Sequence, residues 1–312
     1  LKAKKGHDTK YIHYSLVHKN ILKHINGGTR SKLNQSDMRE IEFLIPPAYE
    51  QQKIATILSS VDDVIEKTRA QIDKLKDLKT GMMQELFSKG IGHTEFKDSP
   101  IGSIPFKWEV AELKEYLSYI SYGFTNPMPE SDFGPLMVTA KDINLLKIRY
   151  ETARMTTLKA YEEDLSNKSR PRINDILLTK DGTLGRVAIV ERENICINQS
   201  VAVLRTNDKV MPKFLLYLLA SPLYQREMLD NSGGSTIKHI YITVVDKMKV
   251  AVPEENEQIK IVNILDSLFT KLSLSEKRLN SFIKIKKALM RDLLTGKVRV
   301  NVENHQEEKM AV

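Results

Sequence analysis

The sequence predicts an α+β protein, a globular α/β domain combined with two long helices packed on one another. Three features carry that expectation. A segment starting at Ile45 recurs 207 residues later at Val252, both copies hold an apolar ladder at coiled-coil spacing, and the residues between them alternate short β-rich runs with Pro and Gly.

The repeat sets Ile45-Pro-Pro-Ala-Tyr-Glu-Gln-Gln-Lys-Ile-Ala-Thr-Ile-Leu58 beside Val252-Pro-Glu-Glu-Asn-Glu-Gln-Ile-Lys-Ile-Val-Asn-Ile-Leu265. Identities fall at Pro46/Pro253, Glu50/Glu257, Gln51/Gln258, Lys53/Lys260, Ile54/Ile261, Ile57/Ile264 and Leu58/Leu265, and the register runs on to Met83/Met290 and Leu86/Leu293. Upstream, Gly27-Gly28-Thr29 matches Gly233-Gly234-Ser235 with a slip of one residue. Pro followed by carboxylates marks a helix start, because the first turn needs no N–H from Pro and its dipole favours negative charge. The ladders then read Leu58, Val61, Ile65, Thr68, Ile72, Leu75, Lys79, Met82, Leu86 and Leu265, Leu268, Leu272, Ser275, Leu279, Phe282, Lys286, Leu289, Leu293. Their polar breaks coincide, Thr68 with Ser275 and Lys79 with Lys286, and a glycine, Gly90 or Gly296, stops each helix. Two amphipathic helices on separate cores are the alternative; the shared period and shared defects favour mutual packing.

Between the helices lie the runs Leu136-Met-Val-Thr139, Ile176-Leu-Leu-Thr179, Val187-Ala-Ile-Val190 and Val201-Ala-Val-Leu204, and a helical stretch over 213–229. Residues 11–24 resemble 214–229 in pattern. In the second copy 142 residues precede the Gly pair from position 91, and in the first 26, a difference of 116. The expected organisation is the tail of a shortened first domain at 1–45, a helix at 46–90, a full domain at 91–252, a second helix at 253–297 and a flexible tail at 298–312. Leu1 is not an initiator Met, which fits a fragment.

Composition narrows the function. The 312 residues carry 48 Lys and Arg against 40 Asp and Glu, a net charge of +8, which favours a polyanionic partner. No run of about 18 apolar residues offers a membrane span, and no apolar stretch follows the basic start to make a signal peptide. The one cysteine, Cys196, excludes a disulfide framework and fits a reducing cytoplasm; it reads as a small core residue of a strand.

Catalytic signatures are missing. Ile45-Pro-Pro-Ala-Tyr49 lacks both flanking residues of the amino-methyltransferase motif, no glycine-rich phosphate or cofactor loop follows a strand, and no His/Cys set has metal spacing. His93 and His239 read as surface residues, and Asp175, Asp181 and Glu191 as solvated loop acids rather than nuclease carboxylates.

The residues suited to nucleic acid cluster instead. Asp175-Ile-Leu-Leu-Thr-Lys-Asp-Gly-Thr-Leu-Gly-Arg-Val-Ala-Ile189 reads as strand, tight loop, strand. Its Gly182 and Gly185 allow close backbone approach, and Thr179, Lys180, Thr183 and Arg186 supply hydroxyl and cationic donors for phosphate or guanine. Asn198 and Gln199 offer amides suited to adenine edges, or cap a strand. The loop Gly233, Gly234, Ser235, Thr236 ending near Lys238 can wrap a phosphate or merely join two elements. Lys141, Arg149, Arg170 and Arg172 add positive charge without a motif.

Together with the two Pro…Glu-Gln-x-Lys-Ile helix starts, Asn198-Gln-Ser-Val-Ala-Val203, Leu293-Leu-Thr-Gly-Lys297 and Pro100-Ile-Gly-Ser-Ile-Pro-x-x-Trp108, the chain resembles the specificity subunits of type I restriction-modification systems. The resemblance implies target recognition domains each followed by a long helix, the helices antiparallel, and a subunit without catalysis of its own that selects a bipartite sequence in double-stranded DNA. It also implies two modification (methyltransferase) subunits as partners, which bind S-adenosylmethionine, and a restriction (motor-nuclease) subunit; no cofactor is expected in this chain. With most of the first domain absent, self-association of the shortened chain would restore symmetry. From Glu50 to Phe87 the rod would be ~57 Å long at ~1.5 Å per residue. The helix from 257 to 297, with nine basic and four acidic residues, is expected nearer phosphate or an acidic surface than that from 50 to 90, with seven of each. Two alternatives remain: the recognition portion of a fused restriction-methylation enzyme, and a coiled-coil adaptor without nucleic acid.

Overall fold

The computed structural model describes residues 3–19, 33–234 and 238–300. The chain forms two compact units, Leu1–Leu75 with Lys271–Val312, and Lys76–Thr270. Gly27, Gly28 and Thr29 of the repeat, Ser235, Thr236 and most of the tail at 298–312 lie outside the described residues.

The first unit opens with α1 (Thr9–His18), whose N-cap Asp8 accepts a hydrogen bond from the Tyr11 amide, then the short α2 (Gln35–Arg39) and the first part of α3 (Ala48–Lys89). The second unit holds the rest of α3 and two antiparallel strand pairs near its start: β1 (Phe96–Ser99) with β2 (Gly102–Pro105), and β3 (Glu109–Glu112) against a later strand. Next come β4 (Leu117–Tyr122), β5 (Glu130–Val138), the β6 (Ile143–Asn144) and β7 (Lys147–Ile148) hairpin, β8 (Arg154–Thr156), β9 (Ile176–Thr179), β10 (Val187–Ile189), β11 (Ile195–Ile197) and β12 (Val201–Thr206). They make a four-stranded antiparallel sheet of order β10-β9-β12-β4 and a three-stranded sheet of order β11-β5-β8 in which β11 and β5 are parallel. Helices α4 (Pro212–Leu219), α5 (Pro222–Asp230) and α6 (Ile242–Val245), strand β13 (Lys249–Val252) beside β3, and α7 (Glu255–Leu294) complete the chain; α7 ends in the first unit.

The apolar runs in the middle are continuous because their sheet is buried on both faces. Ile176 and Leu178 of β9, Ala202 and Leu204 of β12 and Val187 of β10 face a core shared with α4, α5 and the helix ends, while Leu177, Val201, Val203 and Ala188 face the three-stranded sheet. Cys196 is fully buried in β11, and burial pushes its thiol up to about 12. The single helix expected over 213–229 is two. Pro222 has no N–H to continue the ladder, and the chain turns at Ala220 and Ser221 before α5 starts.

The two long helices run antiparallel where each unit pairs them. In the first, Ile54, Ala55 and Leu58 of α3 share a core with Met290, Leu293 and Leu294 of α7, and with Tyr11 and Tyr14 of α1. In the second, Met83, Leu86 and Phe87 share one with Ile261, Val262 and Leu265. Leu58, Ile65, Ile72, Leu75, Leu265, Leu268 and Leu272 are buried; Val61, Leu279 and Phe282 are half-buried. The polar breaks are satisfied locally: the Thr68 and Ser275 hydroxyls donate to Val64 and Lys271 carbonyls of their own helix. Lys79 lies over the Phe269 ring at 5.7 Å, and its repeat equivalent Lys286 lies over Tyr14 at 5.5 Å and pairs with Asp62 at 2.6 Å.

The Glu-Gln dipeptide of each copy explains why these residues repeat. Gln51 donates to the Pro46 carbonyl (2.7 Å) and accepts the amide of Asp8, the N-cap of α1 (3.0 Å). Gln258 does the same with Pro253 (2.9 Å) and Met211, the N-cap of α4 (2.8 Å). Glu50 accepts two bonds from the Arg299 guanidinium (2.8 and 2.7 Å), just past the end of α7. Glu257 accepts the Ile91 amide (2.8 Å) and the Trp108 indole N–H (3.0 Å), and meets His93 at 2.9 Å, just past the end of α3. Each helix start therefore clasps the chain leaving the other helix. Gly90 is needed twice here: its φ is +64°, and an added Cβ would stand 2.4 Å from the Glu257 carboxylate and 2.9 Å from Trp108. His93, expected at the surface, is enclosed by this clasp with 17% of its side chain exposed.

Two outcomes follow. Glu257→Ala strands the buried Trp108 indole and the Ile91 amide, and is expected to cost about 1–3 kcal/mol for each lost acceptor in urea denaturation. The Arg299 guanidinium holds the Glu50 carboxyl below its ordinary value of 4.5, against the opposing effect of burial. The stability from this clasp is complete above that ordinary value and is lost as pH falls through the lowered one. Glu50→Gln is therefore expected to flatten the acid limb of a stability-versus-pH curve while lowering stability near neutrality.

Candidate nucleic-acid interface

A cavity of about 850 Å³ opens in the second unit. Its walls come from the β4–β5 connection (Phe124, Met128), Glu130 and Met137 of β5, residues 139–142, Arg149 and Thr152 after the β6–β7 hairpin, Arg154 of β8, the loop Asp181, Gly182, Thr183 and the turn residues Asn198 and Ser200. Gly123 makes this assembly possible, because an added Cβ there would stand 1.8 Å from the Ile197 carbonyl. With that approach allowed, the Phe124 amide bonds Ile197 (3.0 Å) and the Gln199 amide bonds Phe124 (2.8 Å), which fixes the 198–200 turn on the wall.

The floor is braced by a buried carboxylate. Asp142 accepts from the Thr139 amide (3.0 Å), the Thr139 hydroxyl (2.9 Å) and the Thr152 hydroxyl (2.8 Å), so neutral donors hold both of its oxygens. The Ala140 amide donates to the Ser200 hydroxyl oxygen (3.1 Å), joining floor to wall.

Several residues expected to face DNA are spent on this scaffold. Thr179 is fully buried; its hydroxyl donates to the Thr183 carbonyl and accepts the Arg186 amide (2.9 Å), closing the base of the loop. Gly185 is buried against Gln225, which donates to its carbonyl (2.7 Å), so only Gly182, exposed with open space at its Cβ position, leaves backbone free for close approach. The Arg186 guanidinium donates to the Ile143 carbonyl (3.1 Å) and Asn144 Oδ1 (3.3 Å). Asn198 Oδ1 accepts the Ser200 amide (3.2 Å) and hydroxyl (2.6 Å), the capping alternative for that amide. Lys180 donates to Asp181 (2.8 Å) and lies over Tyr122 at 5.5 Å. Thr183, Gln199 and Lys238 are exposed.

Folding brings the three sequence segments together around Asp181. Asp181 pairs with His239, and Gly233 exchanges two backbone bonds with His239 (2.9 and 2.7 Å). Burial opposes ionisation of Asp181, but Lys180 and His239 outweigh it and hold the carboxyl below its ordinary range. His239 is thus a partly covered hydrogen-bond partner of Asp181 rather than a plain surface residue. Gly234 is exposed at φ +107°, while Gly233, Gly234 and Lys238 lie off the cavity wall. Asp175 is no solvated acid either: 2% exposed, it receives both arms of Arg205 (2.8 and 2.7 Å) and the Arg172 amide (2.7 Å). Asp181 is likewise paired, and only Glu191 of the three acids is exposed.

Phe124, Met128, Glu130, Thr152 and Arg154 line the cavity without a sequence signal, since they come from connections and strand ends whose course depends on which strands pair. Lys141 and Arg149, isolated charges in the sequence, belong to it; Arg170, which lies over Tyr161 at 5.5 Å, and Arg172 do not. Among the described residues, no group of three or more His, Cys, Asp or Glu is placed to hold a metal ion, and no helix is long and apolar enough to cross a membrane.

The buried and exposed members separate experimentally. Thr179→Val is expected to destabilise the fold by about 1–3 kcal/mol, because it strands the Arg186 amide, whereas Gln199→Ala should stay within about 0.5 kcal/mol; thermal unfolding reads both.

The family model of the type I restriction modification DNA specificity domain matches residues 1–77 and 105–284. The type I restriction enzyme MjaVIII specificity subunit of Methanocaldococcus jannaschii is 30% identical over 306 residues, 94% of this chain and 71% of that protein. The EcoBI specificity subunit of Escherichia coli is 26% identical over 83% of this chain and 59% of its own length. The crystal structure of the HsdS subunit from Thermoanaerobacter tengcongensis superposes with a TM-score of 0.55 at 17% identity, covering 93% of this chain and 70% of that one, a likeness of fold. The family match over most of the sequence and the relative at 30% identity place this chain in the family of type I restriction-modification specificity subunits.

Proposed function

We propose that the chain selects a bipartite sequence in double-stranded DNA for a type I restriction-modification complex, and that it does so without catalytic chemistry of its own. The cavity of the second unit carries the reading: cationic and amide-bearing side chains surround it on a hydrogen-bonded scaffold, the pattern that phosphate positioning and base-edge contact require. Residues 91–252 act as a target recognition domain, and the helices around 46–90 and 253–297 as conserved spacers that set the distance between half-sites. Two modification subunits dock on the chain and bring S-adenosylmethionine; a restriction subunit joins them. The alternating clasps support a spacer role, because a helix fixed at both ends transmits length.

Assembled with its modification subunits, the chain is expected to bind duplex DNA with an affinity that falls steeply as salt rises, and to direct methylation to one interrupted sequence. Binding insensitive to salt, or methylation without sequence preference, would overturn the reading. Inserting seven residues at matching positions of both helices adds ~10.5 Å at ~1.5 Å per residue, about three base steps at ~3.4 Å. Methylation mapping should then report a changed gap, and an unchanged gap would remove the spacer role.

A further inference from the structure

Of the two guanidinium groups that line the cavity, Arg149 is the one without a carboxylate partner among the described residues. Arg186, one of the donors expected to contact phosphate or guanine, is bound to Ile143 and Asn144. Arg154 is neutralised by Glu130, and Lys180 by Asp181. Arg149 lines the cavity, pairs with no carboxylate among the described residues, and is held only through one terminal nitrogen on the Lys141 carbonyl. Its Nε is buried and has no hydrogen-bond partner. A buried guanidinium N–H without an acceptor is costly, and the cost disappears when the side chain swings to an acceptor brought by a ligand.

The backbone under Arg149 is rigid. Its amide donates to the Asp142 carbonyl (2.7 Å), its carbonyl accepts the Thr152 amide (3.2 Å), and the Asp142 carboxylate already accepts three hydrogen bonds. The Asp142 carboxylate, which lines the cavity with Arg149, is therefore already used by Thr139 and Thr152, and no carboxylate among the described residues pairs with the arginine. An arginine head on a fixed backbone, with one N–H still lacking an acceptor, suits a pair of acceptors in one plane. The N7 and O6 atoms of guanine in the major groove are such a pair.

We propose that Arg149 is a specificity-determining residue of this recognition domain, reading a guanine of one half-site, and that Arg186 is a positioning residue for the β6–β7 hairpin that carries it. This inference rests on the DNA-reading function proposed above. The test uses the complete complex of this chain with its modification subunits. The preferred sequence is first identified by methylation mapping with the wild-type complex. Affinity is then measured for that duplex and for duplexes substituted at each position in turn.

Arg149→Ala and Arg149→Lys are both expected to weaken binding to the preferred duplex by roughly 5- to 150-fold, the range for losing one bidentate base contact. Both should also flatten the preference at a single G·C position, while binding to unrelated duplexes changes little. The lysine variant keeps the charge and guards against misfolding as the cause, since its melting temperature should match wild type. Equal weakening on every duplex, or restoration of full preference by lysine, would make Arg149 a phosphate contact and overturn the proposal. Unchanged affinity and preference in both variants would do the same. A wild-type complex with no sequence preference at all would instead remove the functional reading beneath it.

Discussion

The buried carboxylate at the start of each long helix is the constraint on which the rest depends. A helix N-terminus presents unpaired amides and a positive dipole end, so an acid there is stabilised before it meets any partner. Glu50 and Glu257 use that position to hold the chain leaving the other helix, through Arg299 in one unit and through Ile91, His93 and Trp108 in the other. The neighbouring glutamines tie the same helix start to the N-cap of a short helix, α1 or α4. One dipeptide thereby fixes three chain segments, and it does so twice. The apolar seam supplies most of the stabilisation, but it is non-directional; the Glu-Gln pairs fix which end meets which.

The same division between adhesion and direction appears in the recognition domain. Its two-sided sheet is held by aliphatic side chains, and polar residues at its edge do the positioning. Thr179, Asp175, Asp142 and Asn198 satisfy backbone groups of the loops rather than facing out. This use of polar side chains leaves a preorganised cavity with few uncommitted donors. Such economy suits sequence reading, since a donor already bonded to protein discriminates nothing, whereas a donor left without an acceptor discriminates strongly between ligands that supply one and ligands that do not.

The long helices were legible in the sequence because both signals that define them are local. The heptad spacing and the coincident breaks at Thr68/Ser275 and Lys79/Lys286 appear in the structure as half-buried or buried positions whose polar atoms are satisfied nearby. The strands were legible as runs because a sheet covered on both faces needs unbroken apolar residues. The break at Pro222 was legible too, yet the helical pattern on either side masked it. Less visible was the division of labour among polar residues. Thr179 and Thr183 are the same residue type four positions apart in one loop; one is fully buried and the other exposed, and only the closing of the hairpin decides which.

By itself, then, the sequence determined the duplication, the two helices and two of the segments that line the cavity, around Gly182 and Asn198, because periodicity, composition and short motifs act over a few turns of chain. The tertiary structure decided what the repeated Glu-Gln pairs hold, which acids are buried, and which cations remain unneutralised. Those outcomes depend on contacts between residues far apart in the chain: 166 positions separate Glu257 from Ile91, and 43 separate Arg186 from Ile143. No local pattern encodes such a pairing, since the free energy that selects it belongs to both partners and exists only once the fold has brought them together.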